Sequence, residues 1–209
     1  MKTSRAPCST CLGETEHNVL HSVDRSNDGR AHLQFALLEC AGCKAISLRE
    51  MLHFDNELYR VSYYPSPASR KVPDWVYDLS VGAIGGLSAA SLGDLFLEIY
   101  QAARGGQFRL AIMGVRALIE QVMIQKVGDK GSFGKNLDAF QQAGYVSVVQ
   151  HDALTDILDA GHATIHRAYE PKAKDIEIAL DITEGIMAAI YVHADAAKKV
   201  AERVPPRKP

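Results

Sequence analysis

The sequence predicts a mainly α protein, an up-and-down helical bundle preceded by a small β module, and three observations predict it. Between Phe108 and Val127, the residues Phe108, Ala111, Ile112, Val115, Leu118, Ile119, Val122 and Met123 recur at three- and four-residue steps. They make one continuous apolar stripe along a helix, which other helices must cover. Further segments with the same period fill residues 91–203. Ahead of them, all four cysteines stand in two pairs, Cys8-x-x-Cys11 and Cys40-x-x-Cys43, the signature of a small metal-bound β unit.

At 209 residues the chain suits one substantial domain and a small one. The boundaries read as a cysteine module over 1–57, a linker over 58–90, the bundle over 91–203 and a tail over 204–209. With 47% hydrophobic and 23% charged residues the composition is that of an ordinary globular protein. The longest uncharged apolar run, residues 79–93, is too short to span a bilayer. No apolar leader segment opens the chain, so the cytoplasm is the expected location and no membrane contact is expected. The formal net charge is -2, with nine Lys/Arg against nine Asp/Glu in residues 1–74 and fourteen against sixteen in 75–209. A protein that neutralises many phosphates shows a basic face. Any contact with RNA or DNA therefore has to come from a local patch.

In the N-terminal module each CxxC turn presents two thiolates on one side of a knuckle, and two knuckles complete the tetrahedral sulfur shell that structural zinc accepts. Gly13, and Ala41 with Gly42, supply small residues for those knuckles. Residues 19–23, 33–38 and 45–54 read as three strands, the first two joined by a polar turn over 24–30. The reading is a zinc ribbon with one structural Zn2+ held by Cys8, Cys11, Cys40 and Cys43. The alternative is a pair of disulfides, which a cytoplasmic location disfavours. Four thiolates leave no open position, so such a zinc holds the fold and activates no water. His17, His21 and His32 are then superfluous as ligands and are expected to be exposed.

In the linker, Tyr59, Tyr63, Tyr64, Trp75 and Tyr77 interleave with Pro65, Pro67 and Pro73. The prolines predict an extended path with its aromatics pinned to the helical domain. Arg60, Arg70 and Lys71 among them offer the other possibility, a grip on single-stranded nucleic acid. Residues 82–90 are rich in Gly, Ala and Ser, and predict a last loop or loosely helical piece before the bundle.

In the bundle, Ser91-x-x-Asp94 predicts a capping box opening a first helix that Gly105 and Gly106 end. The Phe108 helix follows across a short turn, so the two are expected to form an antiparallel hairpin. Residues 137–143 read as a short third helix. Ser147-x-x-Gln150 caps a fourth, lined by Leu154, Ile157, Leu158, Gly161 and Ile165. After Pro171, a long fifth helix carries Ile178, Ile182, Ile186, Ala189, Ile190, Ala197 and Val200.

VRALIE (residues 115–120), the short helix before Gly144, Tyr145 and Val146, and the Gly-x-x-x-x-His of GHATIH (residues 161–166) resemble domain of unknown function 4145, a HEPN-like helical family. The resemblance implies a HEPN-like bundle with a CxxC…CxxC ribbon ahead of it, and it implies association through helix faces. It also implies a bacterial defence or restriction-type setting, since several HEPN relatives are ribonucleases that pair an Arg with a His on one helix with four to six residues between them. The bundle contains no such pair. Arg25 with His32, and Arg49 with His53, fall in the ribbon. The family shows Gly-Asn where this chain has Gly161 and His162, so no role carries over to position 162.

His162 and His166 remain, one turn apart, with Arg167 beside them. Two imidazoles at that spacing can bind a divalent metal or serve as acid and base. Equally, His166 can be a buried polar residue bonded to Glu120 or to the backbone, locking two helices together. Arg116 and Glu120 sit at i, i+4 and face the same choice between an ion pair and a polar groove. The expected function is a zinc-binding, non-catalytic interaction module that forms a homodimer or joins a nucleic acid or protein partner. The alternative is a HEPN-type ribonuclease centred on His166 and Arg116, with His162 and Glu120 as further candidates. If the second and fourth helices are neighbours, His166 is expected within hydrogen-bond reach of Arg116 or Glu120.

Overall fold

The structure is a computed structural model that describes residues 2–27, 30–55, 57–68 and 70–205. The expected tail beyond residue 205, and residues 28 and 29 of the expected polar turn, lie outside them. The chain divides into two compact units, Met1–Lys71 and Val72–Pro209.

The first unit overturns the mainly α expectation. Helices take 51% of the residues and strands 24%, because the cysteine module is a five-stranded antiparallel sheet. Its strands are β1 (Thr3–Cys8), β2 (Gly13–Asn27), β3 (Ala31–Cys40), β4 (Ile46–Phe54) and β5 (Glu57–Tyr64), each paired with its neighbour in sequence. β1 is short and polar and carries little alternation, so only its pairing along Thr3↔Asn18 to Cys8↔Gly13 defines it. β5 lies inside the segment expected to be linker. Pro65 and Pro67 end this strand and interrupt no strand, since a proline is compatible with the residue just past a ladder. The buried apolar core of the sheet is small: Ala6, Ala36 and Leu38, with Val19 and Tyr63 packed against it.

The second unit is helical: α1 (Asp74–Ser80), α2 (Leu87–Arg104), α3 (Phe108–Val127), α4 (Phe133–Gln142), α5 (Val148–His166), α6 (Ala173–Ala188), a π-helical turn (Ala189–His193) and α7 (Ala194–Ala201). Among the described residues no helix is long and apolar enough to cross a membrane. α3 is the central element, packed against α2, α4, α5 and α6. Its stripe Ala111, Ile112, Val115, Leu118, Ile119, Val122 and Met123 is buried, as the period requires, and Phe108 packs at its edge.

α1 is also inside the expected linker. Pro73 is its N-cap, where the missing N–H costs nothing, and Val76 and Leu79 enter the core beside Trp75. α2 starts four residues before Ser91, at Leu87, with Gly86 as N-cap at φ 72°. Ser91 and Asp94 are therefore inside the helix and cap nothing, because residues 87–90, Leu-Ser-Ala-Ala, carry no helix breaker and extend the helix once Ala89 and Leu92 are buried. Close approach of α1 and α2 needs Gly93: a Cβ there would stand 2.3 Å from the Ser80 nitrogen and 2.5 Å from its Cα.

At α5 the Ser147 hydroxyl accepts from the Gln150 N–H, and Gln150 Oε1 accepts from the Ser147 N–H at 2.9 Å. This is the capping box that the spacing predicts. Ser147→Ala is expected to lower the stability of the helical unit by about 1 kcal/mol, read as a drop in melting temperature. An unchanged melting curve would mean that water replaces the cap.

The expected long fifth helix is broken by one wide turn. The π turn holds Tyr191 in the core, its hydroxyl on Gln125 and its ring under Lys126 Nζ at 4.5 Å. The extra residue in that turn rotates the face of α7, so Val200 is exposed despite its place in the predicted stripe. Ile178 is exposed too, whereas Ile186 is buried.

Candidate metal centre and a polar cleft in the helical unit

The two cysteine pairs occupy equivalent places. Cys8 ends β1 and Cys40 ends β3, while Cys11 and Cys43 lie in the turns that follow. In the first turn the Leu12 N–H bonds to the Cys8 carbonyl, and in the second the Lys44 N–H bonds to the Cys40 carbonyl. Both knuckles close with a non-glycine residue in the left-handed region, Leu12 at φ 57° and Lys44 at φ 65°. The glycines that the sequence offers are not the strained positions.

β1–β2 and β3–β4 pairing brings the turns together at one end of the sheet. The four sulfurs lie within 4.8 Å of one another, with Cys8 Sγ 3.5 Å from Cys43 Sγ and Cys11 Sγ 3.9 Å from Cys40 Sγ. All four cysteines are free, so the disulfide alternative does not hold. A tetrahedron of sulfurs at ~2.3 Å from a central zinc has edges of about 3.8 Å, and the observed separations bracket that value. The arrangement can hold a metal ion.

The surroundings suit thiolate ligands. Thr15 Oγ1 lies 3.4 Å from Cys40 Sγ. That contact, with the backbone N–H groups of Cys43 and Gly42, lowers Cys40 to about 5. Hydrogen bonds to the Cys43 and Cys8 sulfurs, then burial, push Cys11 up to about 12, because they hold its thiol proton among the neighbouring sulfurs. A cation at the centre would displace that proton. Behind the cluster His17 is buried, its Nδ1 3.0 Å from the Thr15 carbonyl oxygen. It was expected at the surface. It is instead the cross-strand partner of Cys40, on the face that the cluster covers. His21 is exposed, and His32 is half-buried with Nε2 3.5 Å from Asp24.

In the helical unit the structure separates the residues that the sequence groups. Arg116 Nη1 donates to the Leu158 carbonyl at 3.0 Å, and its guanidinium lies 4.3 Å over the Phe133 ring. Glu120 is half-buried on α3 and, among the described residues, neither it nor Arg116 bonds to His166. His166 is exposed at the end of α5, its ring 4.4 Å from that of His162. The expected pairing fails for a geometric reason. Gly161 is the α5 residue pressed on Arg116, and at about 100° per residue His166 points roughly 140° away from it. Ile165 is half exposed for want of a neighbour at the same end.

What does come together is Arg116 from α3, Asp138 from α4, and His151, Asp159 and His162 from α5, around a cavity of about 330 Å3. His151 was not foreseen. Its Nε2 lies 3.1 Å from Asp138 and its Nδ1 3.3 Å from Asp152. Thirteen residues separate it from Asp138, and no motif spacing links them. Asp159 is held at 2.5 Å by Arg167, which keeps its carboxyl below the ordinary range.

No curated protein and no solved structure matches the chain. Residues 97–203 match one family model, covering the C-terminal part of α2 and everything from there through α7. That match takes in more than half of the chain, including the α3 stripe, the Ser147 cap and the cavity around Arg116, so the chain belongs to the family described as Domain of unknown function (DUF4145).

Proposed function

We propose that the chain is a zinc-stabilised, non-catalytic interaction module that pairs with a protein surface, first of all a second copy of itself. The sulfur cluster carries this reading. A sheet whose buried core is Ala6, Ala36 and Leu38 cannot supply much burial energy, so a metal at the cluster is what makes it a rigid platform. With four thiolate ligands that metal has no open position for a reacting water. Zinc fits a shell of four thiolate sulfurs.

Val23, Leu33, Phe35 and Leu48 line an open depression of about 660 Å3 on one face of the sheet, with Arg25 the one charged residue among the described residues that line it. An apolar, weakly charged face suits a protein better than a nucleic-acid backbone. Reading the helical unit as a HEPN-like bundle agrees with the α2–α3 hairpin and with α5 packed on α3, and it adds a defence or restriction-type setting in the cytoplasm.

Light scattering and an RNA cleavage assay test the proposal together. The expected result is a dimer at micromolar concentration that Val23→Glu converts to monomer, with no cleavage of single-stranded RNA. A monomeric wild type would remove self-pairing. Cleavage that disappears in His166→Ala would replace the proposal with the ribonuclease reading.

A further inference from the structure

We propose that the cavity between α3, α4 and α5 binds a small phosphate ester carrying hydroxyl groups, of the sugar-phosphate class, with Arg116 as the phosphate-binding residue. The inference is independent of the cysteine cluster and of self-pairing.

Arg116 is half-buried and fixed at two points, by its bond to the Leu158 carbonyl and by the Phe133 ring beneath the guanidinium. A guanidinium carries five N–H donors, and this one uses a single Nη1 contact among the described residues. No carboxylate lies within ion-pair distance of it among those residues. Asp159, the acid on the same wall, is committed to Arg167. Asp159 feels the Arg116 charge at longer range, but a positive charge that is partly desolvated, held in one place and without a direct ion-pair partner among the described residues is a prepared anion site, because little side-chain freedom is left to lose on binding. Gly161 makes the placement possible. A Cβ there would stand 3.2 Å from Arg116 Cβ and 3.4 Å from its Cδ, so the glycine gives the stem room between α3 and α5 that any other residue would tighten.

The rest of the wall selects among anions. Phe133, Leu137 and Leu158 are apolar, while Asp138 and Asp159 are carboxylates that repel a bare anion but accept hydrogen bonds from hydroxyl groups. His151, set between Asp138 and Asp152, and His162 at the rim complete the polar contacts. One cation beside two acceptors matches a ligand with one phosphate and several hydroxyls. The cavity, about 330 Å3, lies in the size range of small-molecule sites.

Calorimetric titration of the metal-loaded chain with ribose 5-phosphate, inorganic phosphate and ribose tests this. The expected result is binding of ribose 5-phosphate in preference to both others. Arg116→Met keeps an unbranched apolar stem against Gly161 but removes the guanidinium, and is expected to weaken that binding by about tenfold or more. Asp138→Asn, at an exposed position, is expected to narrow the gap between the ester and inorganic phosphate. Phosphorus NMR of ribose 5-phosphate with wild-type protein gives a readout that needs no variant to fold. Absence of line broadening there at millimolar protein, or equal affinity of wild type and Arg116→Met, overturns the site. Equal affinity for inorganic phosphate overturns the ester assignment.

Discussion

Stripping the metal, or replacing Cys40 with Ser, is expected to unfold the N-terminal sheet while the helical unit keeps its own melting transition. The sheet buries three small or medium apolar residues in its centre, against a helical core built on Phe96, Ile112, Leu118, Ile119, Met123 and Phe140. Binding free energy for structural zinc, on the order of 10–16 kcal/mol in small folds, is then most of what holds the strands in register. Cys40 is the most consequential ligand to lose, since it is fully buried, donates its backbone N–H to the Ala45 carbonyl and faces Thr15. Circular dichroism should show loss of the strand signal with the helical signal intact, and elemental analysis should give one zinc per native chain. Native protein that contains no metal and keeps its sheet in chelator would defeat the assignment.

The second large effect is expected in the helical unit. Gly93→Ala adds one methyl group that meets the Ser80 nitrogen at 2.3 Å and the Leu79 carbonyl carbon at 2.8 Å. Both are backbone atoms, so no rotamer change relieves the contact and α1 must move off α2. The displacement opens the packing of Val76 and Leu79 as well. The cost is expected near the upper end of overpacking effects, about 3 kcal/mol, and it should appear as a clear drop in melting temperature. Gly134→Ala serves as control, because a Cβ there meets nothing within 4 Å. Equal melting curves for the two variants would show that α1 is not held against α2 in solution.

These two glycines illustrate how much the sequence discloses. A stripe such as Ala111, Val115, Leu118 and Val122 announces its helix and its buried face, because burial and period are properties of the segment itself. The Ser147–Gln150 box is likewise local. Gly93 carries no such mark: its role depends on Ser80, thirteen residues away, in a helix that the prolines disguise as linker. The cysteine pairs were legible as a metal site because ligand chemistry fixes their spacing. The number of strands around them was not, since β1 and β5 are defined by pairing more than by composition. In the helical unit, His162 and His166 stand out by spacing, but only His162 borders the Arg116 cavity, and His151 enters it through its meeting with Asp138. Contacts across helices have no period for a sequence to show.

The strand order carries a kinetic consequence. Every pairing in the sheet joins neighbours in the chain, so each hairpin can form with little loop-closure entropy and low contact order. The sulfur cluster is the exception, since it joins the first knuckle to the second across all of β2 and β3. A metal that arrives early, captured by one CxxC turn, holds a single hairpin end until the other turn reaches it. Nucleation would then depend on how quickly the β2–β3 hairpin folds back. The rate of sheet formation should therefore follow that long hairpin and saturate with metal concentration, in place of rising with it without limit.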